Sequence, residues 1–433
     1  MRVLGIGEYN SLGDMYFRLA AAGHEVRVFI EAPEAHDIFK GMIYRSSDWR
    51  AELPWIKEAG TDGIILFESA AKGELQDQLR RDGYHVIGSS AFGDRLESDR
   101  VFGQKILHGL GMPIAKTYAF DSYAQAIAFV HTTQCRYVYK NNGSESASTR
   151  NYVGEMDNGA DMIALLSLHQ SRWRGNVQPD FILMEHIEGI EVGVGAYFNG
   201  HEFLTPACLD WEHKRFFPGD LGELTCEMGT IVTYRGAATI FDLTLSRLTE
   251  QLRESNYCGY INLNTIVNEN GIWPLEFTCR FGYPGFAICD ALHAEGWDQI
   301  FRKMIARSEL DIKTRDGFAA GVVLTVPPFP YEYGYDDLSK GTPICFSDNL
   351  TEADKHNLHF GEVALLGSQL ITSGSVGYVM VVTGTGETVP AAQQQVYDRV
   401  RKVVVPNMRY RTDIGDKLVR HDLGQLKIMG YLA

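Results

Sequence analysis

Lys140 ends a strand-like run, Arg136-Tyr137-Val138-Tyr139-Lys140, and is followed at once by Asn141-Asn142-Gly143-Ser144-Glu145-Ser146-Ala147-Ser148-Thr149. A cation at a strand end beside small polar residues suits phosphate chemistry. Small side chains let backbone N–H groups approach phosphate oxygens, and a mobile flap can shut over a reacting phosphoryl group and exclude water. Read alone, the same run is an ordinary flexible loop. Farther on, Asn262-Leu263-Asn264-Thr265-Ile266-Val267, a turn at Asn268-Glu269-Asn270-Gly271 and Trp273-Pro274-Leu275-Glu276-Phe277 read as a hairpin. Its outward carboxylate and amides suit a shared metal ion. Between these blocks, the segment from Phe181 to Val194 is an apolar strand, an acid-rich turn and a second strand. A solvated hairpin is the plain reading of that pattern.

These residues need elements to position them. Arg2 to Gly7 reads as a buried strand, Met15, Phe17, Leu19 and Ala22 as a helix stopped at Gly23, and Glu25 to Ile30 as a second strand. Gly63 to Phe67, Glu74 to Asp82 and His85 to Gly88 continue the alternation, so the first 90 or so residues predict a small doubly wound parallel sheet with ligands at its strand ends. Gly5 and Gly7 begin a dinucleotide fingerprint that Asn10 breaks. A charged amphipathic helix is expected from Ser98 to Gly111, and after Leu310 a separate β-rich segment built on Ala320–Val326, Glu362–Leu366 and Gly377–Val382.

Composition bounds the rest. A chain of 433 residues, 45% hydrophobic and 22% charged, is globular, with room for two to four domains. Forty basic and 55 acidic residues leave a net charge of −15, which disfavours nucleic acid and anionic lipid as partners. Seven scattered cysteines without a C-x-x-C pair fit neither a disulfide framework nor a zinc site. With no signal-peptide pattern and no long apolar run, a soluble cytoplasmic protein is expected.

The order of several short motifs resembles the ATP-grasp ligases, and among them the glycinamide ribonucleotide synthetases. The motifs are Gly88-Ser89-Ser90 before the Asp99 to Lys105 helix, Met184-Glu185-His186-Ile187-Glu188-Gly189-Ile190-Glu191, and Asp210-Trp211-Glu212-His213-Lys214-Arg215. Gly219-Asp220-Leu221-Gly222 with Glu227-Met228-Gly229, Leu275-Glu276-Phe277-Thr278-Cys279-Arg280-Phe281-Gly282-Tyr283-Pro284, and Arg411-Thr412-Asp413-Ile414-Gly415 follow. The resemblance implies an α/β protein, α+β in part, with the ATP-grasp fold. Its expected parts are an N-terminal doubly wound domain (1–95), a small ATP-grasp subdomain with linker helix (96–190), a large one (191–315) and a C-terminal β-rich domain (316–433).

It also implies roles. Such a ligase activates a carboxylate as an acyl phosphate and lets an amine attack, so cations must converge on a triphosphate while water is kept out. Lys105 and Lys140 match the ATP-phosphate lysines, with Ser144 and Ser146 in the flap. Glu185, His186 and Ile187 match the adenine hinge, and Glu191 the ribose acid. Arg280, with Lys214 and Arg215, matches the cations that stabilise transferring charge. Glu276 matches the principal carboxylate for Mg2+ (or Mn2+); Thr278 stands where the family places Asn, with Asn264 or Asn262 able to compensate. Glu8, Asn10, Glu68, Asp210, Met228, Gly229, Arg411 and Asp413 fall at substrate positions. The first loop, Gly7-Glu8-Tyr9-Asn10-Ser11-Leu12-Gly13-Asp14, lacks the family's arginine, and Glu8 would repel a phosphate. Tyr283 and Gly285 stand where the family has acids, and the flap is serine-rich where the family's is glycine-rich.

Three functions are therefore expected, in order: a carboxylate–amine ligase with altered substrates, a true phosphoribosylamine–glycine ligase, and a catalytically silent ATP-binding protein. The partners would be a small carboxylate and an amine, and the chain a monomer or homodimer.

Overall fold

The computed structural model describes residues 1–141, 151–174 and 179–432. The N-terminal sheet is parallel throughout and runs Tyr44–Arg45, Glu25–Ile30, Arg2–Gly7, Gly63–Phe67, His85–Ile87. Its central strands carry Val3-Leu4-Gly5-Ile6 and Ile64-Ile65-Leu66-Phe67, buried on both faces as a helix-covered parallel sheet requires. The chain leaves Arg2–Gly7 toward one side and returns on the other through Gly63–Phe67. The order thus reverses between these two strands, opening a crevice at their carboxyl ends, Gly7 and Glu68.

The single helix expected from Ser98 to Gly111 is instead two, Ala91–Ser98 and Arg100–Gly109. The break is a capping event: Ser90 Oγ accepts from Gly93 N–H at 3.1 Å to start the first, and Asp99 Oδ1 accepts from Phe102 N–H at 2.9 Å to start the second.

Phe181–Glu185 and Ile190–Asn199 are not the arms of a hairpin. The first lies in a four-stranded antiparallel sheet ordered Thr117–Phe120, Phe181–Glu185, Tyr137–Asn141, Tyr152–Val153, with helices Tyr123–Thr133 and Ala160–Arg172 contributing to its core. The second lies in a larger sheet, so residues 186–189 carry the chain from one sheet to the other. The larger sheet has eight antiparallel strands: Gly271–Thr278, Cys258–Asn268, Ile190–Asn199, Cys208–Glu212, Gly229–Thr233, Phe318–Thr325, Tyr378–Gly386 and Leu358–Phe360. The principal strands after residue 316 therefore extend this sheet instead of building one of their own. Gly229–Thr233 offers an open edge, and Phe318–Thr325 satisfies its backbone groups. The Cys258–Asn268/Gly271–Thr278 hairpin forms as the sequence predicts.

The two ends of the chain are tied by a buried ionic knot. Asp14, on helix Gly13–Ala21, accepts from Arg18 Nε at 2.5 Å and from Phe360 N–H at 3.0 Å, and lies 3.0 Å from His359 Nδ1. Burial alone would push the Asp14 carboxyl up, but Arg18 and His359 together outweigh it and hold it below its ordinary value. With the folded value depressed, the stabilisation is present above the ordinary carboxylate range and disappears as pH falls through it. Asp14→Ala leaves Arg18 with only the more distant Asp290 at 3.9 Å, removes the acceptor of His359 and of Phe360 N–H, and is expected to cost about 3–5 kcal/mol, the usual penalty for breaking a buried pair. Denaturant unfolding at neutral pH checks this, and a loss below about 1 kcal/mol would contradict it.

Candidate functional site

Strand alternation builds one polar face on the large sheet. Glu191 and Gly193, Asp210 and Glu212, Asn262 and Asn264, and Glu276 and Thr278 are each two residues apart and so share a side. The residues between them, Val192, Trp211, Leu263 and Phe277, are buried in the hydrophobic core behind. Register brings the four pairs together: Gly193 lies opposite both Asp210 and Asn264, Asn264 opposite Glu276, and Asn262 opposite Thr278. Any side chain at Gly193 would collide with the Asp210 carboxylate. Glycine there makes room for the acids.

Three cations from three separate segments meet these carboxylates. Glu276 Oε2 accepts from Lys140 Nζ at 2.8 Å and from Arg100 Nη1 at 2.5 Å. Lys214 Nζ lies 2.7 Å from Glu191 Oε1, 3.1 Å from Glu212 Oε2 and 3.7 Å from Glu276 Oε1. Asn264 Nδ2 also donates to Glu191 Oε1 at 2.8 Å. Lys140, with Lys214 and Arg100 behind it, holds the Glu276 carboxyl well below its usual value against the opposing effect of burial. Burial would lower Lys214, yet Glu191, Glu212 and Glu276 drive it well above the ordinary lysine value. Deeper in, the balance reverses. Burial and then Glu212 push Asp210 up to about 7, with Asn262 opposing. Burial, Glu212 and Asp210 raise Glu227 well above a normal carboxyl. Asp210 Oδ1, Glu227 Oε1 and Asn264 Oδ1 are buried without a hydrogen-bond partner among the described residues.

The structure gathers Lys140, Glu191, Asp210, Lys214, Asn264 and Glu276, and sets Thr278 on the same face. It does not bring in Lys105, which is exposed. Arg100 takes the place expected of Lys105: five positions away along one helix, the two point about 140° apart. A cation in the first turn of a helix opposes the macrodipole, so its position was the signal available in the sequence. Arg215 turns away to bond the Gly222 carbonyl at 2.7 Å. Arg280 is paired with Glu97 at 3.0 Å, and that pairing, ahead of the opposing effect of burial, raises it further. Glu185, His186 and Ile187 lie at the passage between the two sheets, where Tyr118 OH donates to Glu185 at 3.2 Å and His186 N–H to the Arg136 carbonyl at 3.1 Å. Ser144 and Ser146 fall outside the described residues.

Two groups expected at substrate positions are engaged within the fold. Arg411, 1% exposed, donates to both Asp413 oxygens at 2.8 and 2.7 Å, to Asp220 at 2.8 Å and to the Arg215 carbonyl at 3.0 Å. These bonds anchor the segment that presents Lys214. Met228 packs with Phe216 and Phe329, and a side chain at Gly229 would strike the Gly321 carbonyl.

In the N-terminal crevice, Glu68 accepts from Ser11 N–H at 2.9 Å, and burial lifts it to about 7 despite that bond. Any side chain at Gly7 would overlap it. Asn10 is buried beside this loop with its Nδ2 3.3 Å from the Ile38 carbonyl, whereas Glu8 is exposed. The first loop holds no arginine, but Arg45 arrives from the edge strand as a charge partner of Glu68, its Nε and Nη1 buried without a partner among the described residues. Nothing in its sequence spacing announces it.

This chemistry fits a magnesium-bound nucleotide triphosphate. Magnesium takes one or two carboxylates together with phosphate oxygens and water. Glu276 and the oxygen of Asn264 are groups that could hold such an ion, and Arg100, Lys140 and Lys214 are the cations placed beside them. Among the described residues no three His, Cys, Asp or Glu side chains form a metal cage by themselves. Among those residues, too, no helix is long and apolar enough to cross a membrane.

Comparison with known proteins agrees. The model of the phosphoribosylglycinamide synthetase ATP-grasp (A) domain matches residues 98–286, and that of the C domain of the same enzyme matches residues 319–417. A phosphoribosylamine–glycine ligase of Nostoc is 27% identical over 356 residues, covering 80% of this chain and 81% of that one. Its counterpart in Halalkalibacterium halodurans is 24% identical over 355 residues, covering 80% and 79%. The crystal structure of phosphoribosylamine–glycine ligase from Thermotoga maritima superposes with a TM-score of 0.70 at 21% identity, covering 96% of this chain and all (100%) of that one. With two domain models of one enzyme matched in order around the polar face just described, the chain belongs to the phosphoribosylglycinamide synthetase family of ATP-grasp ligases.

Proposed function

We propose that the protein joins a carboxylic acid to an amine at the expense of ATP, through an acyl phosphate. The observation that carries this reading is the convergence of Arg100, Lys140 and Lys214 on Glu191, Glu212 and Glu276. A substrate carboxylate oxygen attacks the γ-phosphorus, the bridging P–O bond breaks and ADP leaves. The amine nitrogen then attacks the acyl carbon, the C–O bond to phosphate breaks, and an amide and inorganic phosphate result. Arg100, Lys140 and Lys214 hold the phosphates and offset the charge that gathers on them. Magnesium, held by Glu276 and Asn264, would neutralise phosphate oxygens. Asp210, which burial pushes up to about 7, is the group we assign to the amine: such a carboxylate can orient an ammonium group and take the proton it loses on attack.

For the acceptor, Arg45 supports a second reading. An arginine with buried, unsatisfied donors beside Glu68 suits an anionic group on a hydroxyl-bearing acceptor, as phosphoribosylamine would present. Crossing amino acids with amines and nucleotides in an ADP-release screen, with products identified by mass, decides among these readings. Phosphoribosylamine plus glycine giving an amide would establish the second reading; another pair would establish the first. ATP binding with no ADP release across the panel would leave a silent nucleotide-binding protein.

Two sharper outcomes are expected. Arg100→Ala should weaken ATP binding by about tenfold or more, the worth of one charge-assisted contact, whereas Lys105→Ala should leave it unchanged. Calorimetric titration of ATP with magnesium tests this, and equal effects of the two variants would refute the Arg100 assignment. With Asp210 as base, kcat/KM for the pair found in the screen should rise with pH through about 7, because only the deprotonated carboxylate accepts a proton. Asp210→Asn should remove that limb of the profile; an unaltered profile would exclude Asp210 as the base.

A further inference from the structure

A second polar cleft, of about 380 Å³, lies on the opposite side of the N-terminal domain from the Gly7–Glu68 crevice. Its walls come from the end of helix Gly73–Arg81, the turn into strand His85–Ile87, the start of strand Cys258–Asn268, and the end of helix Trp297–Ala306. His85 begins its strand, so this cleft sits at the amino end of the parallel sheet, whereas the crevice sits at the carboxyl end. It spans the seam where Gly88 N–H donates to the Cys258 carbonyl at 2.7 Å.

Its charge is opposite to that of the molecule. Arg80, Arg81 and Arg307 line it against a single acid, Asp77, giving 3 − 1 = +2 with histidine neutral, in a chain of net charge −15. The arginines are poorly satisfied. Arg80 bonds Asp77 at 3.0 Å and the Val86 carbonyl at 3.3 Å, but its Nη2 is buried without a partner among the described residues. Arg81 donates to neutral Gln78 at 2.9 Å, and Arg307 lies 2.6 Å from the His201 ring. Among the described residues neither has a carboxylate within ion-pairing distance. The negative dipole ends of helices Gly73–Arg81 and Trp297–Ala306 favour some cations here, but exposed side chains answer a dipole and no buried donor without a partner is needed for it. Tyr84, Met304 and Ile305 add an apolar wall, and the volume suits a small molecule.

We propose that this cleft is a binding site for a dianionic phosphate group, presented by a small phosphorylated molecule or by inorganic phosphate itself. Guanidinium forks match phosphate oxygens in pairs, and a local field of this sign draws an anion against the overall charge. Bound there, the phosphate bridges Arg80 and Arg81 of the N-terminal domain to Arg307 of the large-sheet domain.

The test is calorimetric titration of the full chain with inorganic phosphate and, separately, ribose 5-phosphate, at fixed ionic strength and with ADP and magnesium saturating the nucleotide site. Saturable binding is expected, weakened at least tenfold in Arg81→Glu, an exposed position whose change should leave the melting temperature intact, and likewise in Arg307→Gln. Tighter binding of the ester than of phosphate would identify a phosphorylated metabolite, and equal binding free phosphate. No saturable heat with either compound, or an Arg81→Glu titration matching the unmodified protein, would overturn the site.

Discussion

Three carboxylates share one ammonium. Glu191, Glu212 and Glu276 all lie within 4 Å of Lys214 Nζ, and such a gathering of like charge persists only because Lys140 and Arg100 add two further cations at Glu276. Most of the architecture can be read as the means of holding this balance. The acids come from three strands of one sheet, with Asn262 and Asn264 on a fourth strand among them, and alternation fixes their side while register fixes their spacing. The cations come from elsewhere: Arg100 from a helix start, Lys140 from the small sheet, and Lys214 from the segment leading into the Arg215–Phe217 strand. The site therefore exists only when the small sheet is closed against the large one. The buried Arg411 clamp contributes by fixing the chain at Arg215, immediately after Lys214.

Period-two alternation made much of this legible from sequence alone. Asn262-Leu263-Asn264 against Glu276-Phe277-Thr278, across a short turn, can fold in few other ways, and the parallel N-terminal sheet follows from doubly buried runs separated by helical ones. Alternation states which face a residue occupies, but not which strand lies beside it. That is why Phe181–Glu185 and Ile190–Asn199 could pass for a hairpin, and why the strands after residue 316 could pass for a separate sheet. Both errors concern partners far away in sequence, whose choice depends on which edge remains open after other strands have paired.

Helical phase failed for a different reason. Arg100 and Lys105 both fit an amphipathic pattern read from Ser98, and the pattern does not distinguish them until the start of the helix is fixed. The Asp99 cap fixes it, and with it the direction of Arg100. Arg45 had no such signal: a two-residue edge strand carries no periodicity, and its placement beside Glu68 is a tertiary fact.

The unsatisfied groups show where the site departs from stability. Away from this face some buried carboxylates are fully satisfied: Glu362 accepts from the backbone N–H groups of Ser375, Val376, Gly377 and Tyr378, and Asp354 from Arg399, Lys402 and the Thr351 cap. On the polar face, Asp210, Glu227 and Asn264 each keep a buried oxygen without a partner. Each such atom costs about 1–3 kcal/mol relative to a satisfied one. A fold able to satisfy Glu362 with four backbone donors could have satisfied these as well, or replaced them with apolar residues. Their place beside Lys214 fits the proposed reading, in which phosphates, a metal ion and an amine come to this face from outside.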